Sequence, residues 1–204
     1  MEKLVIFNDY ANIAAAYQQQ NRRLDHDELF NYLSEGRFLV EAHAFVPIDP
    51  RNPHARDQLI DDMWNQGYMV HSKIGVIAGD TYRCNLDVEI TLEMMHAAET
   101  IKPDIIVLIS GDKDFIPVVL ELRRRGIRVE IAAFPGINAA RELMLKGSGF
   151  IDLHTYQQEC ETPTAAAPRR RPLAPAAVTA DANDDDDDDF DDDVNDDMEA
   201  WDRL

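Results

Sequence analysis

Five consecutive apolar residues, Ile105-Ile106-Val107-Leu108-Ile109, run directly into Ser110-Gly111-Asp112-Lys113-Asp114-Phe115. A strand with one face in water alternates apolar and polar residues, so an unbroken run of this length, closed by a Ser-Gly turn, predicts a strand covered on both faces. Such strands belong to parallel sheets flanked by helices, because a parallel crossover needs a connection long enough to cover the sheet. In those sheets ligands bind in the crevice outside the carboxyl ends of the strands. The run therefore predicts an α/β fold and delivers Asp112 and Asp114 to its functional edge.

The rest of the chain supplies the remaining elements. Leu4-Val5-Ile6-Phe7 is a second buried strand that ends in acid, running into Asn8-Asp9 and then Asn12 at the start of an Ala-rich helix. Asp25 followed by Glu28 has the form of a capping box and opens a helix that Gly36 closes. A strand is expected over Phe38 to Val46, and Pro47, Pro50 and Pro53 mark a loop. The next helix, Ala55 to Gln66, places Leu59, Ile60, Met63 and Trp64 on one face. Tyr68 to Lys73 reads as a short strand, Ile74 to Asn85 as a Gly-containing flap, and Leu86 to Thr100 as a helix that opens beside Asp87. Beyond Ile109 the pattern predicts a helix from Asp114 to Arg125 with Pro117 in its first turn, and a strand from Ile127 to Ala132. A helix from Ala139 to Lys146 and a strand from Phe150 to Leu153 complete it. Strands alternating with helices in this way predict a three-layer α/β/α sandwich with a mainly parallel sheet.

Charge separates this domain from the C-terminal part of the chain. Of the net −19, the 44 residues from Glu161 onward contribute −11, with 4 basic and 15 acidic residues. Residues 1–156 are expected to form the domain and 157–183 a Pro/Ala-rich linker with the Arg169-Arg170-Arg171 cluster. Residues 184–204 are expected to be an Asp-rich disordered tail, since like charges with few apolar groups cannot bury a core. The tail ends in MEAWDRL, whose Met198, Trp201 and Leu204 share helical spacing and suit a protein partner. A basic partner is one expectation for the acid run. Competition with RNA for the site is the other, since a linker from residue 160 to 184 has a span of roughly 27 Å. Cys84 and Cys160 form no CxxC pair, which suits a reducing cytoplasm, and no segment approaches the length of a membrane span. A cytoplasmic location is expected, with a homodimer open as the oligomeric state.

The recurrence of strand and then acid carries the chemistry. If the first strand lies beside Ile105–Ile109, then Asp9, Asp112 and Asp114 converge, with Asp87 projecting from the start of a neighbouring helix. Two unit charges about 4 Å apart cost roughly 4 kcal/mol at an effective dielectric near 20. Such a group takes up protons or holds a cation, and oxygen donors without thiolate or paired histidine select Mg²⁺ or Mn²⁺ over Zn²⁺. A metal held in this way activates water and stabilises charge in phosphodiester cleavage.

The FxDxxN at Phe7, Asp9 and Asn12, with SGDxDF at Ser110, Gly111, Asp112, Asp114 and Phe115, resembles the NYN domain in its LabA-like branch, a relative of the PIN nucleases. The resemblance extends over about residues 3 to 155. It implies a PIN-like fold and metal-dependent endoribonuclease activity on RNA. Asp9, Asp112 and Asp114 then fall in the Mg²⁺ or Mn²⁺ site, with Asn12 and Ser110 beside it. A third family segment of the form KGVDVxLxxD matches at Asp87, while Cys84, Asn85 and Glu93 stand where the family has Lys, Gly and Asp. On a helix, six residues turn 600°, which sets Glu93 about 120° away from Asp87.

Each residue also has a plainer reading. Asp114 can cap a helix, Asp87 can complement a helix dipole, Asn12 can bond within its own helix and Ser110 can be a turn residue. The six histidines have no metal-ligand spacing. Arg123-Arg124-Arg125 with Arg128 could form a basic rim, and Lys73, Arg83 and Lys113 lie nearer the acids along the chain. The alternative to a nuclease is a non-catalytic RNA- or protein-binding regulatory module that keeps the fold. A haloacid-dehalogenase-like phosphatase is disfavoured, because the first strand ends in NDYAN and lacks DxDxT; no P-loop or GxGxxG cradle is present.

Overall fold

The computed structural model describes residues 1–22 and 24–160. Of the linker expected over residues 157–183, residues 157–160 are helical and the rest, with the Asp run and the MEAWDRL terminus, lies outside these residues. The elements in order are β1 (Lys3–Asp9), α1 (Tyr10–Gln19), α2 (His26–Ser34), β2 (Phe38–Ile48), α3 (Asp57–Asn65), β3 (Met69–Ile74), β4 (Val76–Ala78), β5 (Thr81–Arg83), α4 (Asp87–Thr100), β6 (Ile105–Ile109), α5 (Ile116–Arg124), β7 (Arg128–Ala133), α6 (Arg141–Lys146), β8 (Gly149–Asp152) and α7 (Leu153–Cys160). Six strands form one sheet in the order β3-β2-β1-β6-β7-β8, every neighbouring pair parallel.

The period-2 geometry of strands divides the apolar runs between two cores. Leu4, Ile6, Ile105, Val107 and Ile109 face a layer holding Ile13 and Tyr17 of α1, Leu29 and Leu33 of α2, Met63 of α3 and Tyr156 of α7. Val5, Phe7, Ile106 and Leu108 face Ile90 and Met94 of α4, Val119 and Leu122 of α5 and Leu143 of α6. All five residues of β6 are buried, as a strand covered on both faces requires. Strand order reverses between β1 and β6, and at such a switch point the loops diverge and open a crevice at the carboxyl edge.

All six main strands fall where the sequence places them, but several connections differ. Ile74 to Asn85 is not an irregular flap: Val76–Ala78 and Thr81–Arg83 pair antiparallel as a two-stranded ribbon around the Gly79 turn. The predicted helix from Asp114 is split, a 3₁₀ turn over Lys113–Phe115 preceding α5. The Ala139 helix begins only at Arg141. Helix α7 is not predicted, because its sequence, LHTYQQEC, carries a weak apolar pattern. Gly126, at φ +84°, closes α5 as expected. Among the described residues, no helix is long and apolar enough to cross a membrane. Neither Cys84 nor Cys160 is in a disulfide.

Two histidines that the sequence leaves unrelated meet across β2 and β3. His43 Nδ1 lies 3.0 Å from His71 Nε2, and the two rings stack within a column that includes Phe7 and Phe45. Burial pushes His43 down to about 4; the neighbouring His71 adds to the shift and the Glu93 carboxylate opposes it. Between pH 6.5 and 4 the unfolded chain therefore takes up a proton that folded His43 refuses, and stability falls on acidification by up to about 3 kcal/mol. His43→Phe abolishes this linkage. The stability advantage of wild type over the variant, measured by urea unfolding, should shrink by about that amount across the window, and a difference independent of pH would contradict it.

Candidate metal centre

Register builds the centre. Leu4 pairs with Ile105 and each following residue with the next, up to Asn8 with Ile109, so Asp9 and Ser110 leave the sheet side by side. Buried Ser110 donates from Oγ to Asp9 Oδ2 at 2.9 Å and accepts the Asp112 N–H at 3.2 Å. One hydroxyl thus links the acids that end the two strands. Asp9 Oδ1 also accepts the Asn12 N–H, which makes it the N-cap of α1.

Asn12 extends this lattice. Its Oδ1 accepts the Gly111 N–H at 2.9 Å and the Asn138 side-chain amide at 2.7 Å, while Asn138 Oδ1 accepts the Phe134 N–H. The bond within its own helix that the sequence allows is therefore not the use made of this side chain. Asn138 belongs to the β7–α6 connection, and sequence reasoning missed it: a single Asn in a loop carries no signal of a partner 126 residues away. Gly111 is needed for closeness. A Cβ there would stand 1.9 Å from the Asn138 carbonyl oxygen.

Asp87, Asp112 and Asp114 each present an oxygen within 4.8 Å of the others, with Asp114 exposed and the other two half-buried. Asp87 begins α4, and Asn85 Nδ2 donates to its carboxylate at 2.7 Å. Asn85, which departs from the family pattern, therefore positions an acid of the cluster. Asp112, not Asp114, performs the capping, its carboxylate accepting the Asp114 N–H at 3.0 Å. Asp9 lies outside the mutual 4.8 Å group but lines the same cleft of about 320 Å³, together with Asn12, Pro47, Asp87 and Asp112. Glu93 is outside this group, and its charge acts on His43.

The electrostatics suit a cation. Burial raises the Asp87 carboxyl, and the charges of Asp112, Asp114 and Glu89 raise it further, against a single opposing hydrogen bond from Asn85. Asp9, only 8 % exposed, is pushed up to about 6, chiefly by burial. The Ser110 and Asn12 hydrogen bonds resist that shift, and the charges of Asp87 and Asp112 add to it. A site of hard oxygen donors whose ionised forms repel one another fits a hard divalent cation.

The basic rim built from Arg123, Arg124, Arg125 and Arg128 is not here. Helix α5 runs back against the strands, so its C-terminus and the start of β7 lie at the opposite edge. There Arg124 and Arg125 pair with Glu121, Arg125 also with Glu99, and Arg128 with Glu130 and Glu2. Lys73 donates to the Asn85 carbonyl and pairs with Glu89 beside the cleft. Lys113 is exposed within the acid turn, and Arg83 is exposed on the ribbon.

The chain belongs to the NYN domain family, which it matches over residues 3–154. It is 28 % identical over 187 residues to the low amplitude and bright protein LabA of Synechococcus elongatus, covering 88 % of this chain and 97 % of that protein. An uncharacterized protein of Methanocaldococcus jannaschii is 30 % identical over 118 residues, 57 % of this chain and 43 % of that one. The fold is shared with the crystal structure of a protein of unknown function from Vibrio parahaemolyticus, at TM-score 0.64 and 22 % identity, covering 74 % and 93 % of the two chains.

Gly111→Ala must drive the Asn138 segment away and break its bond to Asn12. A loss of about 1–3 kcal/mol is expected, the usual cost of overpacking a tight site, read as a lowered urea midpoint. An unchanged midpoint would contradict the close approach.

Proposed function

We propose that this protein is a metal-dependent endoribonuclease that cleaves RNA phosphodiester bonds at the carboxyl edge of its sheet. The observation that carries the reading is the convergence of Asp87, at the start of α4, with Asp112 and Asp114, from the turn after β6, within 4.8 Å, at the switch point of an NYN domain. A bound cation would offset the penalty that burial and the neighbouring charges impose on Asp87.

Asp87, Asp112 and Asp114 are the residues that would hold Mg²⁺ or Mn²⁺, with Asp9 behind them. A divalent cation at this point supplies positive charge against the phosphate oxygens and acidifies water. Ser110 and Asn12 act through the carboxylates. Ser110 fixes Asp9 relative to Asp112, and Asn12 fixes the Gly111 turn from which Asp112 and Asp114 project. Lys113 and Arg83, both exposed, are proposed to meet substrate phosphates. RNA is the proposed partner within the domain, and the acidic segment beyond residue 160 is proposed to recruit a basic protein or to compete with RNA. The proposed location is the cytoplasm.

Incubation of the full chain with mixed single-stranded and structured RNA should give Mn²⁺-dependent endonucleolytic products that vanish with chelator. Asp112→Asn, with its fold verified by circular dichroism, should cleave about 10²-fold more slowly or worse, as loss of one preorganised electrostatic group at a reaction centre typically does. Undiminished cleavage by that variant would defeat the assignment. RNA and Mn²⁺ binding without cleavage by wild type would identify the non-catalytic module instead.

A further inference from the structure

A second, larger cleft of about 1120 Å³ opens between α1, the start of α2 and α3. It adjoins the acid cleft at two points. Tyr10, on its wall, is the next residue in the chain after Asp9. Arg56, on the same wall, donates from Nη1 to the Pro47 carbonyl at 2.8 Å, and Pro47 lines the acid cleft.

The walls are flat and the recess is polar. The Arg56 guanidinium lies 4.9 Å from the centroid of the Tyr10 ring, and the His26 ring stands 5.7 Å from Tyr10 at 35°. His26 and Gln66 both line this cleft, and His26 Nδ1 and Gln66 Oε1 are sequestered from water with no hydrogen-bond partner among the described residues. Sequestered polar atoms left unpaired cost stability, and two of them on residues lining one cavity point to a ligand that satisfies them. Burial pushes His26 down to about 4, against the opposing charges of Asp25 and Asp62, so its ring is neutral at physiological pH and offers one donor and one acceptor nitrogen. Aromatic and guanidinium faces with imidazole and amide edges behind them are the chemistry that holds an unstacked nucleobase of single-stranded RNA.

We infer that the α1–α3 cleft is a nucleobase subsite: it takes one base of single-stranded RNA against Tyr10 and His26, with the adjoining phosphate toward Arg56, and so sets which phosphodiester lies over the acids. The assignment rests on the nuclease reading for its purpose but not for its test. The full chain carrying Asp112→Asn is titrated by fluorescence anisotropy with a labelled six-nucleotide single-stranded RNA and with a set carrying one abasic position each. Tyr10→Leu in that background should weaken binding about tenfold, the scale of one lost base stack, while Tyr10→Phe should not. One abasic position should reproduce the loss and remove the sensitivity to Tyr10→Leu. Arg56→Gln should lower the slope of log affinity against log salt by about 1. RNA binding that ignores Tyr10→Leu in a folded variant, or an equal loss at every abasic position, overturns the subsite. The two readings separate cleanly. Tyr10-dependent binding by a wild type that never cleaves with Mn²⁺ removes the nuclease and keeps the subsite, and Mn²⁺-dependent cleavage with Tyr10-independent binding does the reverse.

Discussion

The parallel pairing of β1 with β6 is the constraint on which the rest depends. These two central strands bring together residues a hundred positions apart, and their register sets Asp9 beside Ser110. A slip by one residue would turn Leu4 and Ile6 from one core to the other and invert the whole alternation, so the two-sided core defends the register. The fold's apolar energetics thereby fix the position of its acids, which would otherwise drift apart.

Hydrogen bonds finish what the register begins. Ser110 joins Asp9 to Asp112, Asn12 joins α1 to the Gly111 turn, and Asn138 ties both to the β7–α6 connection. Asn85 steadies Asp87 from the far side. Each bond is individually worth about 1 kcal/mol net, but together they hold the carboxylates against their mutual repulsion before any cation arrives. That is the preorganisation that the proposed cation site requires. The larger cleft next door adjoins this centre through the backbone of Asp9–Tyr10 and the Pro47–Arg56 contact.

Much of this is legible in the sequence. Unbroken apolar runs announce strands buried on two faces, and Asp9, Asp112 and Asp114 are visible as the acids that end them. What the sequence hides is long-range pairing. Asn85 reads as a departure from a family segment and is in fact the partner of Asp87; Asn138 carries no mark at all. The Arg123–Arg125 run looks like an RNA rim only until the direction of α5 puts it at the wrong edge, among Glu99 and Glu121. The plainer reading of Asp114 as a helix cap does not hold, since that role falls to Asp112 where a 3₁₀ turn intervenes before α5. The His43–His71 contact depends on β2–β3 register, which no spacing of histidines along the chain reveals.

The most direct test of the central claim is anomalous diffraction at the manganese edge from crystals soaked in Mn²⁺. The expected result is an anomalous peak in contact with carboxylate oxygens of Asp87, Asp112 and Asp114. No peak at this edge in a crystal that leaves the cleft open to solvent, or an ion held elsewhere while these carboxylates remain unliganded, would contradict it.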